Sequence, residues 1–365
     1  MYIAGFALLL GPLVTLHELG HLLVGRLFGV RAEAFSVGFG KEIAGFTDKR
    51  GTRWKLSLLP LGGYVQFQGD MNPASVPDAD APKEEGSFQH AALWKRALIV
   101  AAGPVTNLLV TIAIFAAFFA ILGKPTITSA EDSRVIGSFS EGSVAEAAGF
   151  KIGDTIMAID GRTVGDFTDL KTAVALHPDT RMVFTIDRDG EQLTLPLTTA
   201  RAVETDDFGN QSAIGRIGVA PAGGSYVLEK VGVLEAVPLA VKQSWELTGL
   251  MVTGIKQIVL GERSIKELGG PLKIAKYSGE QMSLGAIAFI NFAALISLNL
   301  AFINFLPIPA LDGGHLMFYA AEAIRRKPVG PRATEWAYRT GIALVLMLMV
   351  VVTANDIFSL PIFGS

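Results

Sequence analysis

The sequence predicts a polytopic α-helical membrane protein with four transmembrane helices, a small β-sheet beside the first helix and an α+β domain inserted between the second and third. Three observations carry this. Half of the 365 residues are apolar and only 18% are charged, with a mean hydropathy of +0.43. The apolar residues gather into four runs, 3–27, 97–122, 284–306 and 337–352, near the roughly 20 residues that a helix needs to cross hydrocarbon. Between the second and third runs lies a stretch of alternating apolar and polar residues with turn signals, a pattern of strands. The net charge of −3 offers no electrostatic case for nucleic acid as a partner. There are no cysteines, which excludes disulfides and thiolate metal sites, so a metal here must be held by His, Asp or Glu.

Residues 1–29 form the first expected span. No Lys or Arg precedes it, its apolar run is too long for a signal peptide and no small-residue cleavage site stands clear of it, so it is expected to be retained. Residues 30–70 contain "AEAFSVGFGKEIAGF" and "RWKLSLLPLGGYVQFQGD", which alternate like strands around glycine turns. Residues 71–96 are expected as a cytoplasmic loop, rich in Pro, Asp, Glu and Ala over 71–87 and read there as flexible, before the second span at 97–123. Over 127–200, "RVIGSF" and "RMVFTIDRDGEQLTLPL" read as strands with an Asp189-Gly190 turn, and "SVAEAAG" and "DLKTAVALH" as short helices. Residues 201–280 should hold a strand and an amphipathic helix. The apolar spacing of 231–260 is helical, but Lys242, Glu246 and Lys256 interrupt it. Such a helix lies on the membrane surface or packs on the soluble domain. The third span is expected at 281–315, a basic loop at 316–335 and the fourth span at 336–358. Basic residues set the orientation. Arg31, Lys41, Lys49, Arg50, Arg53, Lys55, Lys83, Lys95 and Arg96 lie between spans one and two, and Arg325, Arg326, Lys327 and Arg332 between spans three and four. Both basic loops are therefore expected to be cytoplasmic, with both termini and the 127–200 domain outside. "GSVAEAAGFKIGDTIMAIDG" resembles the PDZ pattern, whose domains add a peptide to a sheet edge. The full expectation is thus four transmembrane helices with a small cytoplasmic-side β-sheet and an inserted extracytoplasmic α+β PDZ-like domain.

Two histidines and a glutamate inside an apolar span demand a partner, because titratable groups in lipid are costly. His17-Glu18-Leu19-Gly20-His21 is an HExxH motif. On a helix, residues four apart share a face, so both imidazoles reach one ion, and Glu18 stands beside it as a general base. Zinc suits this set, with three protein ligands and a water. Glu42, some twenty residues on, and Glu33 are nominal candidates for the third ligand. Asp312, in "NFLPIPALDGGH" at 304–315, is the better one. There Pro307 and Pro309 end regular helix, Gly313 and Gly314 allow close backbone approach, and broken backbone at membrane depth suits a cavity lining. His315 follows as a supporting or helix-starting residue. His90 and His177 have nothing nearby to pair them. Asn107 either helps form the cavity or packs between helices.

HExxH in the first helix and N-x-x-P-x-P-x-L-D-G-G near the end of the third resemble the signature pair of the site-2 protease family of intramembrane zinc metalloproteases. With one PDZ-like domain, "GGYV" at Gly62–Val65 and "GPVTN" at Gly103–Asn107, the chain most resembles the bacterial regulator-of-sigma-E protease branch, some members of which carry two such domains. The resemblance implies one Zn2+ per chain on His17, His21 and Asp312, with Glu18 catalytic. It also implies substrate backbone held by Asn304 and by the strand of Gly62, Gly63, Tyr64 and Val65. It further implies location in the bacterial inner membrane. The implied substrate is a single-pass transmembrane protein, pre-cleaved on its extracytoplasmic side, such as an anti-sigma factor, with peptide ends met by the PDZ-like domain. Two rivals stand beside this. A metal transporter or sensor predicts more liganding groups across the membrane than spans two and four supply. A non-catalytic PDZ scaffold leaves Glu18 without a role.

Overall fold

The computed structural model describes residues 1–69, 85–128, 134–205, 211–222, 225–261, 265, 268–327 and 329–359. The loop expected as flexible over 71–87 falls almost wholly outside them. The chain divides into two compact units, Met1–Ala117 with Leu234–Ser365, and the inserted Phe118–Val233.

Helix α1 (Tyr2–Leu27) leads into β1 (Ala32–Thr47) and β2 (Arg53–Phe67), and α2 (Leu93–Leu122) follows a 3-10 turn at Phe88–His90. The two strands pair antiparallel, but their register shifts repeatedly. Both are bent: residues 34–37 pair with 63–66 on one side and with 53–56 on the other, so 63–66 is an edge. Gly38 at φ 90° and Gly62 at φ 137° supply left-handed turns that a side chain would strain. Phe35, Phe67, Leu22, Phe88, Ile99 and Val100 form the buried cluster that seats this sheet on α1 and α2. At the turn, Asp48 accepts from the Trp54 indole (2.9 Å), from the Arg50 and Thr52 amides and from Arg26 in the last turn of α1. The Trp54 and Arg26 hydrogen bonds hold its carboxyl well below the usual carboxylate range.

The inserted unit holds β3 (Lys124–Thr128), β4 (Ile136–Phe139), α3 (Val144–Ala147), β5 (Thr155–Ile159), β6 (Arg162–Thr163), α4 (Phe167–Ala175), β7 (Arg181–Arg188), β8 (Glu191–Thr198), β9 (Ala200–Thr205), β10 (Gln211–Arg216), β11 (Val219–Pro221) and β12 (Ser225–Glu229). Its main sheet has the order β6-β5-β7-β8, and three pairs flank it: β11 with β4, β10 with β9 and β12 with β3. Asp189 and Gly190 both take positive φ (55° and 87°), the geometry of a tight hairpin turn between β7 and β8. Both helices are capped by side chains, Ser143 accepting from the Glu146 amide and Asp166 from the Asp169 amide. Ile156, Phe184 and Ile186 are fully buried at the centre, each such side chain contributing about 1.5–3 kcal/mol. The unit runs past residue 200. Ile217 belongs to its core and β11 pairs with β4, a contribution that short three-residue alternation does not announce.

After it come α5 (Val233–Val259), α6 (Pro271–Ser283), α7 (Ala286–Phe305), α8 (Asp312–Arg325) and α9 (Pro331–Ser359). Two expectations need correction here. The third span does not run on to 315: α7 ends at Phe305, and Asp312 opens a separate helix. The basic loop expected over 316–335 is helical as far as Arg325, because the proline-rich break sits before it. Helix α6 is likewise an element of its own. Its close approach to α1 needs glycine, since a Cβ on Gly5 would lie 3.0 Å from the Ser278 carbonyl carbon. Asp356 of α9 accepts from the Gly270 and Lys273 amides at the start of α6. Among the described residues, four helices are long and apolar enough to cross a membrane: Tyr2–Leu27, Leu93–Leu122, Ala286–Phe305 and Arg332–Phe358.

Candidate metal centre

His17 and His21 lie one turn apart on the buried face of α1, as the four-residue spacing dictates. Asp312 reaches them from the first turn of α8. Its Oδ2 is 3.1 Å from His17 Nε2 and its Oδ1 3.7 Å from His21 Nε2, while the two Nε2 atoms are 3.2 Å apart. One ligand atom from each residue falls within 4.8 Å of the others. Glu42 and Glu33 are elsewhere, Glu42 paired with Arg53 and Glu33 with Gln66, so neither nominal third ligand joins the group.

What brings Asp312 here is the break after α7. Leu306 turns to extended backbone, Ala310 takes φ +88°, and α8 begins against its own connection. Gly313 and Gly314 permit that packing, because a Cβ on either would collide with carbonyls at 305, 306 or 308. Pro309 packs against Gly341 of α9, whereas Pro307 is exposed and off the cavity.

Helix α2 closes the other side with a stripe of residues at four-residue spacing. The Ile99 carbonyl lies 2.8 Å from His21 Nδ1. A carbonyl can only accept, so the ring proton of neutral His21 sits on Nδ1, and Nε2 turns its lone pair toward His17 and Asp312. Gly103 comes next. A Cβ there would lie 2.7 Å from His17 Nε2 and closer still to His21 Nε2. Asn107, 1% exposed, places Nδ2 3.3 Å from His17 Nδ1. Thr111 and Ser297 both donate to carbonyls across the α2–α7 contact. Ile99 and Gly103 have no chemical signature as ligand supports; "GPVTN" is the sequence signal that points to Gly103.

A cavity of 320 Å³ opens at the group. Asn304, Gly63, Tyr64, Val65 and His315 line it, as does Phe39; Gly62 does not. Glu18 lies on the wall, its Oε2 accepting from the Val65 amide at 3.2 Å, on the edge of the sheet. His315 is joined by Tyr338, whose hydroxyl is 2.5 Å from Nδ1. His177 bonds the Ala173 carbonyl at the end of α4, and His90 is exposed, so both stand apart.

The donor set fits zinc. Two imidazoles and a carboxylate are ligands it takes readily. Asp312 Oδ2 is buried without a hydrogen-bond partner, and the bare Cα of Gly103 keeps a side chain out of the space beside both Nε2 atoms. Apolar membrane-crossing helices gathered around an HExxH pair and a distant aspartate define a metalloprotease class. The chain belongs to peptidase family M50, the site-2 protease family, whose profile matches residues 5–348, and is a multi-pass zinc metalloprotease.

Its relatives agree. A Rhizobium meliloti protein named as a zinc metalloprotease is 44% identical over 96% of this chain and 95% of its own. One from Agrobacterium fabrum, also so named, is 44% identical over 98% of this chain and 96% of its own. Metalloprotease MmpA of Caulobacter vibrioides is 32% identical over 97% of this chain and 94% of its own. Among solved structures, a Listeria monocytogenes PDZ domain matches 25% of this chain and 90% of that one at 14% identity and a TM-score of 0.19, too slight to carry any argument.

Proposed function

We propose that this zinc metalloprotease works within the membrane, hydrolysing a peptide bond in or near the transmembrane helix of a single-pass protein. The observation that carries the reading is the sharing of one cavity by three features: the His17, His21 and Asp312 donors, the Glu18 carboxylate and an edge strand at 63–65. His17, His21 and Asp312 would hold the zinc, which supplies a Lewis acid to polarise the scissile carbonyl and acidify water. Glu18 takes a proton from the attacking water and returns it to the leaving amine. A substrate helix hides its amides in its own hydrogen bonds, so it must be unwound before attack. Gly63, Tyr64 and Val65 offer an edge on which an extended segment is held by strand addition, with Asn304 across the cavity for its backbone. Gly62 would act by turning the strand rather than by touching substrate.

The family resemblance supports a substrate already clipped on its outer side, an anti-sigma factor or similar protein. It also supports a place in the bacterial inner membrane, basic loops cytoplasmic and both termini outside, with the inserted unit as a PDZ-like filter of peptide ends. The test uses purified full-length protein in liposomes with tagged single-pass reporters, wild type against Glu18→Gln, with zinc measured in both. Cleavage by wild type alone, with zinc retained in the variant, is the expected result. Zinc in both and cleavage by neither, across several reporter helices, would remove the protease step and favour metal transport.

A further inference from the structure

We propose that Asn107 is a positioning residue for His17, its amide oxygen accepting from Nδ1–H so that Nε2 presents its lone pair to the metal. The proposal rests on the reading of His17, His21 and Asp312 as zinc ligands. An imidazole that coordinates through Nε2 must carry its proton on Nδ1 and needs an acceptor there. For His21 that acceptor is the Ile99 carbonyl at 2.8 Å. For His17 the side-chain atoms facing Nδ1 are those of Asn107, at 3.3 Å. With Nδ2 toward the ring, Asn107 Oδ1 is buried with no hydrogen-bond partner. The oxygen and nitrogen of an amide exchange places by a half-turn and are assigned from their partners. That half-turn gives Oδ1 a donor and His17 the ligating tautomer.

The role is specific to the side chain. The backbone carbonyl of Asn107 accepts from the Thr111 hydroxyl within α2 at 3.0 Å and from Ser297 of α7 at 2.8 Å, and the Ser297 bond, with that from Thr111 to the Ala294 carbonyl, joins α2 to α7 without the amide. Packing alone would be served by a leucine at a site 1% exposed. Residues 99, 103 and 107 then act as one stripe of α2: a carbonyl acceptor, a gap and an amide acceptor, facing the two imidazoles of α1.

The experiment titrates zinc-loaded full-length protein in detergent with a chromophoric chelator. Wild type is compared with Asn107→Asp, Asn107→Leu, Asn107→Ala and Asp312→Ala, and thermal unfolding of each is recorded. The leucine and alanine variants should lose about 10–100-fold in zinc affinity. Asn107→Asp, an acceptor at the same reach, should hold zinc at least as tightly as wild type. If leucine prevents folding, the alanine variant carries the comparison. Zinc held by the apolar variants as tightly as by wild type overturns the proposal. So does equal weakening by Asn107→Asp, which would assign the amide N–H instead. Zinc binding indifferent to Asp312→Ala is a different failure, that of the ligand reading itself.

Discussion

Asp154 and Asp312 are both withdrawn from solvent, yet the chain treats them in opposite ways. In the inserted unit, Asp154 is 1% exposed and every oxygen is used. Arg188 grips it with Nε at 2.6 Å and Nη2 at 2.7 Å, and the Lys151 amide donates at 2.8 Å. Asp312 has two imidazoles before it and an Oδ2 that no donor satisfies. A carboxylate enclosed by donors is a structural brace, and one left short of donors beside two lone-pair nitrogens is kept for a cation.

Removing each carboxylate should separate the two roles. Asp312→Ala is expected to abolish zinc retention and proteolysis while thermal unfolding of the zinc-free chain barely moves. Asp154→Ala removes the acceptor of two Arg188 donors and of the Lys151 amide, so it should destabilise the inserted unit, and it should leave bound zinc unchanged. Limited proteolysis of the full-length protein, following cuts within 134–205, reads the second effect, and metal analysis reads the first. Zinc loss in Asp154→Ala would break the contrast.

Gly103→Ala attacks the centre without touching a ligand. The new methyl would fall 2.7 Å from His17 Nε2 and closer to His21 Nε2, both ring atoms held in place by partners on the far nitrogens. The expected outcome is zinc content near zero with helix content by circular dichroism unchanged. A zinc-replete alanine variant would mean that α1 and α2 can separate there.

The brace also has a pH signature. Burial alone would raise the Asp154 carboxyl, but the Arg188 and Lys151 hydrogen bonds outweigh it and hold the group below its ordinary value. A carboxyl lowered on folding stabilises the unit fully above the unfolded value, about 3.9, and that stability is lost as pH falls from there through the lower folded value. Acid-induced cutting within 134–205 should therefore steepen below about pH 4, and Asp154→Asn should flatten that dependence.

Legibility in the sequence followed chemistry and spacing. His17, Glu18 and His21 were readable because an i, i+4 pair on an apolar helix has one economical meaning, and Asp312 because prolines and glycines marked a break around a carboxylate. The four apolar runs were readable by length. The Ile99 carbonyl was not, since every residue has one, and among 40 glycines Gly103 was marked by the "GPVTN" resemblance alone and by no chemistry of its own. Helix α8 was hidden because the break at Pro307–Ala310 read as an end rather than as the entry to a new helix. The strands beyond residue 200 were hidden because β11 spans three residues and gains its meaning only from β4.

Ala310 offers the smallest test and the sharpest one for the connection that delivers Asp312. It lines the cavity with φ +88°, a conformation that L-residues avoid and glycine adopts freely. Such strain costs on the order of 1–3 kcal/mol and persists where surrounding structure over-determines it. Here Gly313, Gly314 and Gly341 pack the connection from two helices, so the backbone has little room to relax. Ala310→Gly should then raise the stability of the full-length chain by about 1 kcal/mol, read as a higher unfolding midpoint, with zinc affinity unchanged. A gain in stability accompanied by weaker zinc would mean that the strained alanine, and not only the glycines around it, holds Asp312 at its distance from the imidazoles.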